Sequence, residues 1–332
     1  KEGNYKAVYK HLPVPFQLFR YLSVPGAPAA FREYMLGGLD ADVVHSCTFC
    51  VPRFRDRRKK LVVTIYDLTV ITNPECHMKM NIRHCIAGAK DAIKYADSII
   101  AISEHTKQDL IKYLGAPPEL ITVTQLAASG DYREVTDAEK LRSVRQRYGL
   151  PESYILFVGS LEPRKNVKTL FKAYSRMKES FKKEFPLVIA GAKGWLNSDI
   201  PELVKALGIE DRVKFAGYID RADIAAVYSQ AAVFVFPSLY EGFGLPILEA
   251  MGCGTPVITS NVSSMPEVAG NAAVLVSPTD AAELSAALES VLGDEGKRGE
   301  MRKKGFARAS GFSWERCAKE TLEVYRKVVK NA

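Results

Sequence analysis

The sequence predicts an α/β protein built from two parallel-sheet domains. Three observations carry this expectation. From about Asp40 onward, short β-branched runs alternate with amphipathic stretches of helical period. A chain of 332 residues exceeds one ordinary core and suits two. Glycines also follow directly on several apolar runs, at the strand ends where open α/β sheets bind their ligands.

In the first half, strands are expected at ADVVHS, LVVTIYD, SIIAIS and ITVTQ. Helices fit between them at IRHCIAGAKDAIKYA and EHTKQDLIKYLG, where Leu110, Ile111 and Leu114 recur at helical spacing. Residues 1–150 then form a first domain, which ends in the charged helical stretch DAEKLRSVRQRYGL and a linker near Gly149 to Glu152. The second domain, 151–312, opens on YILFVGS and continues through LVIAG, VKFAG, AVFVFP and PVITS. A last helix lies within 313–332 and is amphipathic through Cys317, Leu322, Val324, Tyr325 and Val328; its pattern fits either domain. The first forty residues are rich in Pro, Tyr and Phe, show no clear strand and begin at Lys1, so a longer parent chain is expected.

A content of 47% hydrophobic and 25% charged residues excludes disordered and fibrous classes. No apolar run approaches the ~20 residues of a membrane helix. The net charge of +8 favours acidic partners. The densest basic cluster, RFRDRRKK from Arg53 to Lys60, reads first as a solvated loop and second as a contact with an anionic membrane. No nucleic-acid motif accompanies it, so nucleic acid is not expected as a partner. Six cysteines do not make a disulfide framework. Cys47 and Cys50 form a single CxxC without the second pair that a zinc site needs. A reducing, cytoplasmic setting fits all six.

Three strand ends in the second half carry unusual chemistry. In VGSLEPRKN, the strand stops at Gly159, and Arg164 and Lys165 precede a helix; paired cations there suit a diphosphate. In FAGYID, Gly217 and Tyr218 let a flat ring approach main-chain groups that read a base edge. The third is SLYEGFGLPILEAMGCGTPVITSN, in which seven residues separate Glu241 from Glu249. Pro246 suits the first position of a helix, so Gly242, Phe243, Gly244 and Leu245 form the turn whose amides face an anion. Glu249 is expected in the first helical turn, placed to accept from two adjacent hydroxyls as on a ribose. Glu241 is expected before the turn, nearer the mouth of the cleft.

The spacing of Glu241 and Glu249 within FPSLYEGFGLPILEAMGCGTPVITSN resembles the signature of group-1 glycosyltransferases, the family 4 retaining enzymes of GT-B fold. The resemblance continues through VGSLEPRKN, LVIAGAKGW, FAGYID and MPEVAG, and more weakly back to DVVHS and VTIYDL. It implies two Rossmann-like domains facing a cleft, the second holding a nucleotide sugar, with the C-terminal helix crossing back to the first. It implies that Glu249 binds the donor ribose, that Glu241 contacts the transferring sugar, and that Arg164 and Lys165 neutralise the leaving group beside the amides of Phe243, Gly244 and Leu245. Asp67 joins the catalytic set through the position where relatives show His-Asp and this chain has Tyr66-Asp67.

No metal and no cofactor beyond the nucleotide-sugar substrate are then expected. The favoured donor is GDP-mannose, through likeness to lipopolysaccharide and exopolysaccharide mannosyltransferases in LEPRKN and SLYEGFGLP, with a UDP-sugar as the alternative. The acceptor is a glycan or lipid-linked glycan, and the setting is the cytoplasm, peripherally at the inner membrane face. Two departures from the family pattern are Tyr66 and the absence of a recognisable first strand and glycine-rich loop, a unit of ~30 residues. They motivate a second hypothesis, a non-catalytic nucleotide-sugar-binding module. A third keeps the fold but makes the chain an epimerase; a phosphorylase would need a pyridoxal-phosphate lysine site, which the sequence does not resemble.

Overall fold

A computed structural model of the chain describes residues 41–49, 51–52, 58–191 and 199–330. The first forty residues, Cys50 of the CxxC pair, residues 53–57 of the basic cluster and the AKGW tail of LVIAGAKGW lie outside them. The chain divides into two compact units. The first comprises the chain to Ile102, Thr106–Thr124 and the stretch from Lys319 onward; the second comprises Ser103–His105 and Gln125–Ala318.

The first unit holds a parallel sheet in the order β1 (Val43–Ser46), β2 (Lys60–Ile65), β3 (Ser98–Ala101), β4 (Ile121–Val123). Its central strands are buried on both faces, which is why KLVVTI and SIIA read as continuous apolar runs rather than alternating ones. Strand alternation sorts the side chains. Leu61, Val63, Ile65, Ile99 and Ala101 share one cluster with Ala89 and Ala92 of the helix Lys79–Tyr95. Val62 and Ile100 point the other way and pack with Val324 and Val328 of the C-terminal helix Trp314–Lys330. The later turns of that helix therefore belong to the first unit, as the crossing-back expectation requires. His45 fastens this contact: Nδ1 lies 2.6 Å from the Tyr325 hydroxyl and Nε2 lies 2.7 Å from Thr64 Oγ1.

The second unit holds a six-stranded parallel sheet in the order β10-β9-β8-β5-β6-β7. The strands are β5 (Ile155–Val158), β6 (Leu187–Ala190), β7 (Val213–Gly217), β8 (Val233–Phe236), β9 (Val257–Ser260) and β10 (Ala273–Val276). β10 escaped the sequence reading because its four residues are set apart from the helix Met265–Ala269 by only the three residues Gly270 to Ala272. β5 pairs with both β6 and β8, so the strand order reverses there and leaves a crevice at the carboxyl ends of β5 and β8. Phe157, Phe171, Tyr174, Leu187, Val235 and Leu288 are among the side chains that fill the core beneath it.

The helix Ala138–Tyr148 belongs to this second unit, so the units part before Gln125 and not at 150, and the segment near Gly149 to Glu152 lies inside one unit. The cause is a buried ion cluster. Asp223 is 1% exposed and accepts from Lys140, from Arg147 at 2.6 Å and from the Tyr148 hydroxyl at 3.0 Å. Burial works against its charge, but these three partners outweigh that and hold the carboxyl below its usual range.

Two outcomes follow. Asp223→Ala should lower stability by about 1–3 kcal/mol, discounted for the exposure of Lys140 and Arg147, and this is measurable as a fall in the urea midpoint at constant m. Burial depresses the pKa of His45 below its ordinary 6.5, so below that pH the unfolded chain binds a proton that the folded chain resists. Stability should therefore fall as pH drops through about 6.5. Urea midpoints at neutral and mildly acid pH will show this slope, and His45→Gln should flatten it.

Candidate functional site

At the crevice, three neighbouring strand ends meet through glycine. Gly191, which follows β6, has φ +145°, and a Cβ there would sit 2.0 Å from the carbonyl oxygen of Gly159, which follows β5. The Gly191 amide donates to the Gly217 carbonyl at 2.7 Å, and Gly217, at the end of β7, has φ +71°. Tyr218, beside it, is 72% exposed and open to a planar ligand. Gly191 was not singled out from the sequence, because a strand ending in glycine is common and the close approach to Gly159 depends on strand order.

After Gly159 the chain makes a 3-10 turn, Pro163–Lys165, that ends at Asn166 in the left-handed region with φ 56°. A non-glycine residue there is held by its side chain. Asn166 Nδ2 donates to the carbonyls of Pro237 at 2.9 Å and Pro278 at 2.7 Å, and Oδ1 accepts from Thr169 at 2.8 Å. One asparagine thus ties the loops that follow β5, β8 and β10.

That turn presents Arg164 and Lys165 to Glu241. Lys165 Nζ lies 2.9 Å from Glu241 Oε1, and Arg164 Nη1 lies 2.7 Å from Oε2. Arg164 also donates to the Tyr240 carbonyl at 2.8 Å and through Nη2 to Glu162 at 2.6 Å. Lys165 stands 4.8 Å over the ring of Phe236. Glu241 is 7% exposed, so it is a buried group rather than one at a cleft mouth: the loop after β8 folds inward because the Leu239 amide donates to the Arg164 carbonyl. Burial opposes its charge, yet Lys165 and then Arg164 hold the carboxyl below its ordinary range. The cluster contains two cations and two carboxylates, Glu162 and Glu241, and is close to electrically neutral. Glu162, 6% exposed, escaped the sequence reading because LEPRKN gave no sign that its acid faced its own arginine.

The turn that follows is framed by serines. The Glu241 amide donates to Ser263 Oγ at 3.0 Å, and Ser264 Oγ donates to the carbonyls of Glu241 and Phe243 at 2.8 Å each. Ser103 Oγ donates to the Gly242 carbonyl at 2.7 Å. Gly244, with φ +103°, precedes the helix Leu245–Gly252. The helix starts at Leu245, so Pro246 is its second residue and Glu249 its fifth, beyond the first turn. The dipole argument for Glu249 therefore does not apply. Glu249 is governed by burial, which raises its carboxyl pKa, opposed by hydrogen bonds from Tyr228 and Tyr132. Tyr228 donates to Oε2 at 3.2 Å.

The second unit thus brings together Arg164, Lys165, Glu241, Gly242, Phe243, Gly244, Leu245 and Glu249, with Gly159 and Gly217 at the adjoining strand ends. Asp67 belongs to the first unit, just after β2, where its Oδ1 accepts from the amide and hydroxyl of Thr69 at 3.0 and 2.7 Å. Among the described residues, no group of three or more His, Cys, Asp or Glu side chains is arranged to hold a metal ion. No helix among them is long and apolar enough to cross a membrane.

Gly191→Ala should force the ends of β5 and β6 apart. A loss of about 1–3 kcal/mol in urea unfolding is expected, the usual scale of overpacking.

Residues 142–308 match the family model "Glycosyl transferases group 1", and residues 2–126 match "Glycosyltransferase Family 4". The chain is 34% identical over 325 residues to O-antigen chain mannosyltransferase B of Escherichia coli, covering 98% of this chain and 83% of that protein. It is 29% identical over 319 residues to the serotype-specific mannosyltransferase WbdA of Escherichia coli; the match takes in 92% of this chain but 39% of WbdA. Among solved structures, sucrose-phosphate synthase from Thermosynechococcus elongatus superposes with TM-score 0.77 at 25% identity, over 96% of this chain and 81% of that one. WaaG, a glycosyltransferase involved in lipopolysaccharide biosynthesis, shares the fold with TM-score 0.73 at 18% identity, over 89% and 80%. With two parallel-sheet units of the GT-B type and both family models matched, the chain belongs to the group 1 glycosyltransferases.

Proposed function

We propose that this enzyme transfers mannose from GDP-mannose to a hydroxyl of a growing glycan or lipid-linked glycan, with retention of anomeric configuration. The observation that carries the chemistry is the buried cluster of Glu241 with Arg164 and Lys165 at the β5/β8 strand ends. The choice of mannose is supported by the mannosyltransferases among its relatives.

In this reading the bond between the sugar's anomeric carbon and the β-phosphate oxygen breaks, and its electron pair leaves with the diphosphate. Arg164 and Lys165 stabilise that departing charge, which is the main task of the site. The acceptor hydroxyl attacks from the face the nucleotide leaves, and the β-phosphate takes its proton. Glu241 is too firmly paired with two cations to serve as a nucleophile; it fixes their positions and places negative charge near the sugar as positive charge develops at the anomeric carbon. Glu249 accepts from the ribose hydroxyls, and Gly217 and Tyr218 meet the base. Asp67 enters the catalytic set on the family resemblance, as a group at the carboxyl end of β2. Peripheral contact with an anionic membrane through Arg53–Lys60 belongs to the same reading.

The test is a transfer assay with GDP-mannose, UDP-glucose and ADP-glucose, with product anomers read by NMR. Turnover confined to GDP-mannose, with an α-linked product from the α-linked donor, is the expected result. Lys165→Ala should cut kcat by about 10²–10³. Glu249→Ala should raise KM about tenfold or more. Unchanged turnover in both variants would overturn the site assignment. Nucleotide binding without transfer would favour a binding module.

A further inference from the structure

The turn between Glu241 and the helix Leu245–Gly252 leaves two backbone donors unused. The amides of Phe243 and Gly244 make no hydrogen bond to any described residue, although both residues are buried. A buried amide without a partner is rare in a folded protein and marks a place where something else accepts.

Three serines dictate which way this stretch of backbone faces. Ser264 Oγ shares its single hydrogen between the carbonyls of Glu241 and Phe243, at 2.8 Å each. Ser103 Oγ donates to the Gly242 carbonyl at 2.7 Å, and Ser263 Oγ accepts from the Glu241 amide at 3.0 Å. Ser103 and Ser264 are both fully buried, so their bonds are sheltered from water. Ser263 keeps its place with φ 54°, a left-handed conformation that is uncommon for a residue other than glycine and is held by its surroundings.

Peptide planarity turns these contacts into a direction. No peptide bond among the described residues is cis, and in a trans unit the carbonyl of one residue and the amide of the next point opposite ways. The carbonyls of Glu241 and Phe243 meet at one hydroxyl, so the amides of Gly242 and Gly244 are directed together away from Ser264. The Gly242 carbonyl, fixed on Ser103, turns the Phe243 amide away from that serine. Successive amides ordered in a turn form an anion-binding concavity, and Glu241, with Arg164 and Lys165 upon it, stands at the start of this one.

We propose that Ser264 and Ser103 are positioning residues that hold the amides of Phe243 and Gly244 ready for the terminal phosphate of a nucleoside diphosphate, and thereby set the enzyme's preference for diphosphates over monophosphates. This rests on the reading of the second unit as a diphosphate site. An amide fixed before the anion arrives needs no reorganisation, and its bond to a charged oxygen is stronger than one to a neutral acceptor. Without the serine hydroxyls the peptide planes are free to rotate, and the amides lose their common aim.

Calorimetric titration of the full chain with GDP, UDP and ADP, each beside its monophosphate, tests this. Wild type should bind at least one diphosphate about tenfold or more tighter than its monophosphate. Ser264→Ala should shrink that ratio about fivefold by weakening the diphosphate alone, and Ser103→Ala should do the same. Ser103→Ala decides the question if Ser264→Ala does not fold. Lys165→Ala should also shrink the ratio. If Lys165→Ala leaves it unchanged, the diphosphate reading fails and this inference with it. If Lys165→Ala shrinks the ratio but the serine variants do not, or weaken both nucleotides equally as a mere packing role would, the serines' role alone is overturned; an unchanged ratio in one serine variant removes that serine from the role. Wild type that binds no nucleotide, or binds monophosphates and diphosphates alike, overturns both.

Discussion

The second unit is organised around a buried carboxylate that must have two cations. Glu241 cannot sit at 7% exposure as an anion unless Lys165 and Arg164 meet it, and they do so from a loop on a different strand. That requirement fixes the register between the turn after β5 and the loop after β8. The Leu239 amide on the Arg164 carbonyl, the Arg164 guanidinium on the Tyr240 carbonyl and Glu162 on the far side of Arg164 all hold this register. The result is a largely buried, near-neutral cluster in which positive groups are already ordered. An incoming diphosphate would compete with carboxylates for cations that need no rearrangement, the arrangement that makes electrostatic stabilisation effective.

Glu241 and Glu249 are chemically identical and close in sequence, but their surroundings push them in opposite directions. The first is held below its ordinary pKa by ammonium and guanidinium, and the second is raised by burial with only phenols as donors. An ion held by cations is committed to its charge. A carboxylate held by phenols stays able to accept further hydroxyl hydrogens, which is what a sugar diol offers. The turn at Gly244 makes the division possible, because its positive φ ends the loop and starts a helix within one residue.

The sheets and the location of the site were legible because parallel strands buried on both faces leave unbroken apolar runs, and because glycines mark their carboxyl ends. That Arg164, Lys165 and Glu241 gather at one place could be anticipated, because charged residues in the loops after such runs are conspicuous, whereas Glu249 stood out by its spacing from Glu241. Other features were illegible because they depend on residues far apart in the chain. Nothing local marks Tyr228 as facing Glu249, Ser263 and Ser264 as framing the turn, or Asp223 as drawing the helix Ala138–Tyr148 into the second unit. The position of Glu249 was misread by a single helical residue, and that was enough to change its electrostatic explanation from dipole to burial.

Asn166 has a wider consequence. Because one amide group joins the loops after β5, β8 and β10, those loops cannot open one at a time. Correlated slowing of amide hydrogen exchange in all three is what such a suture means for motion. The wall that carries the cations is therefore a fixed template, and whatever adjustment ligand entry demands must be made by parts of the chain that Asn166 does not reach.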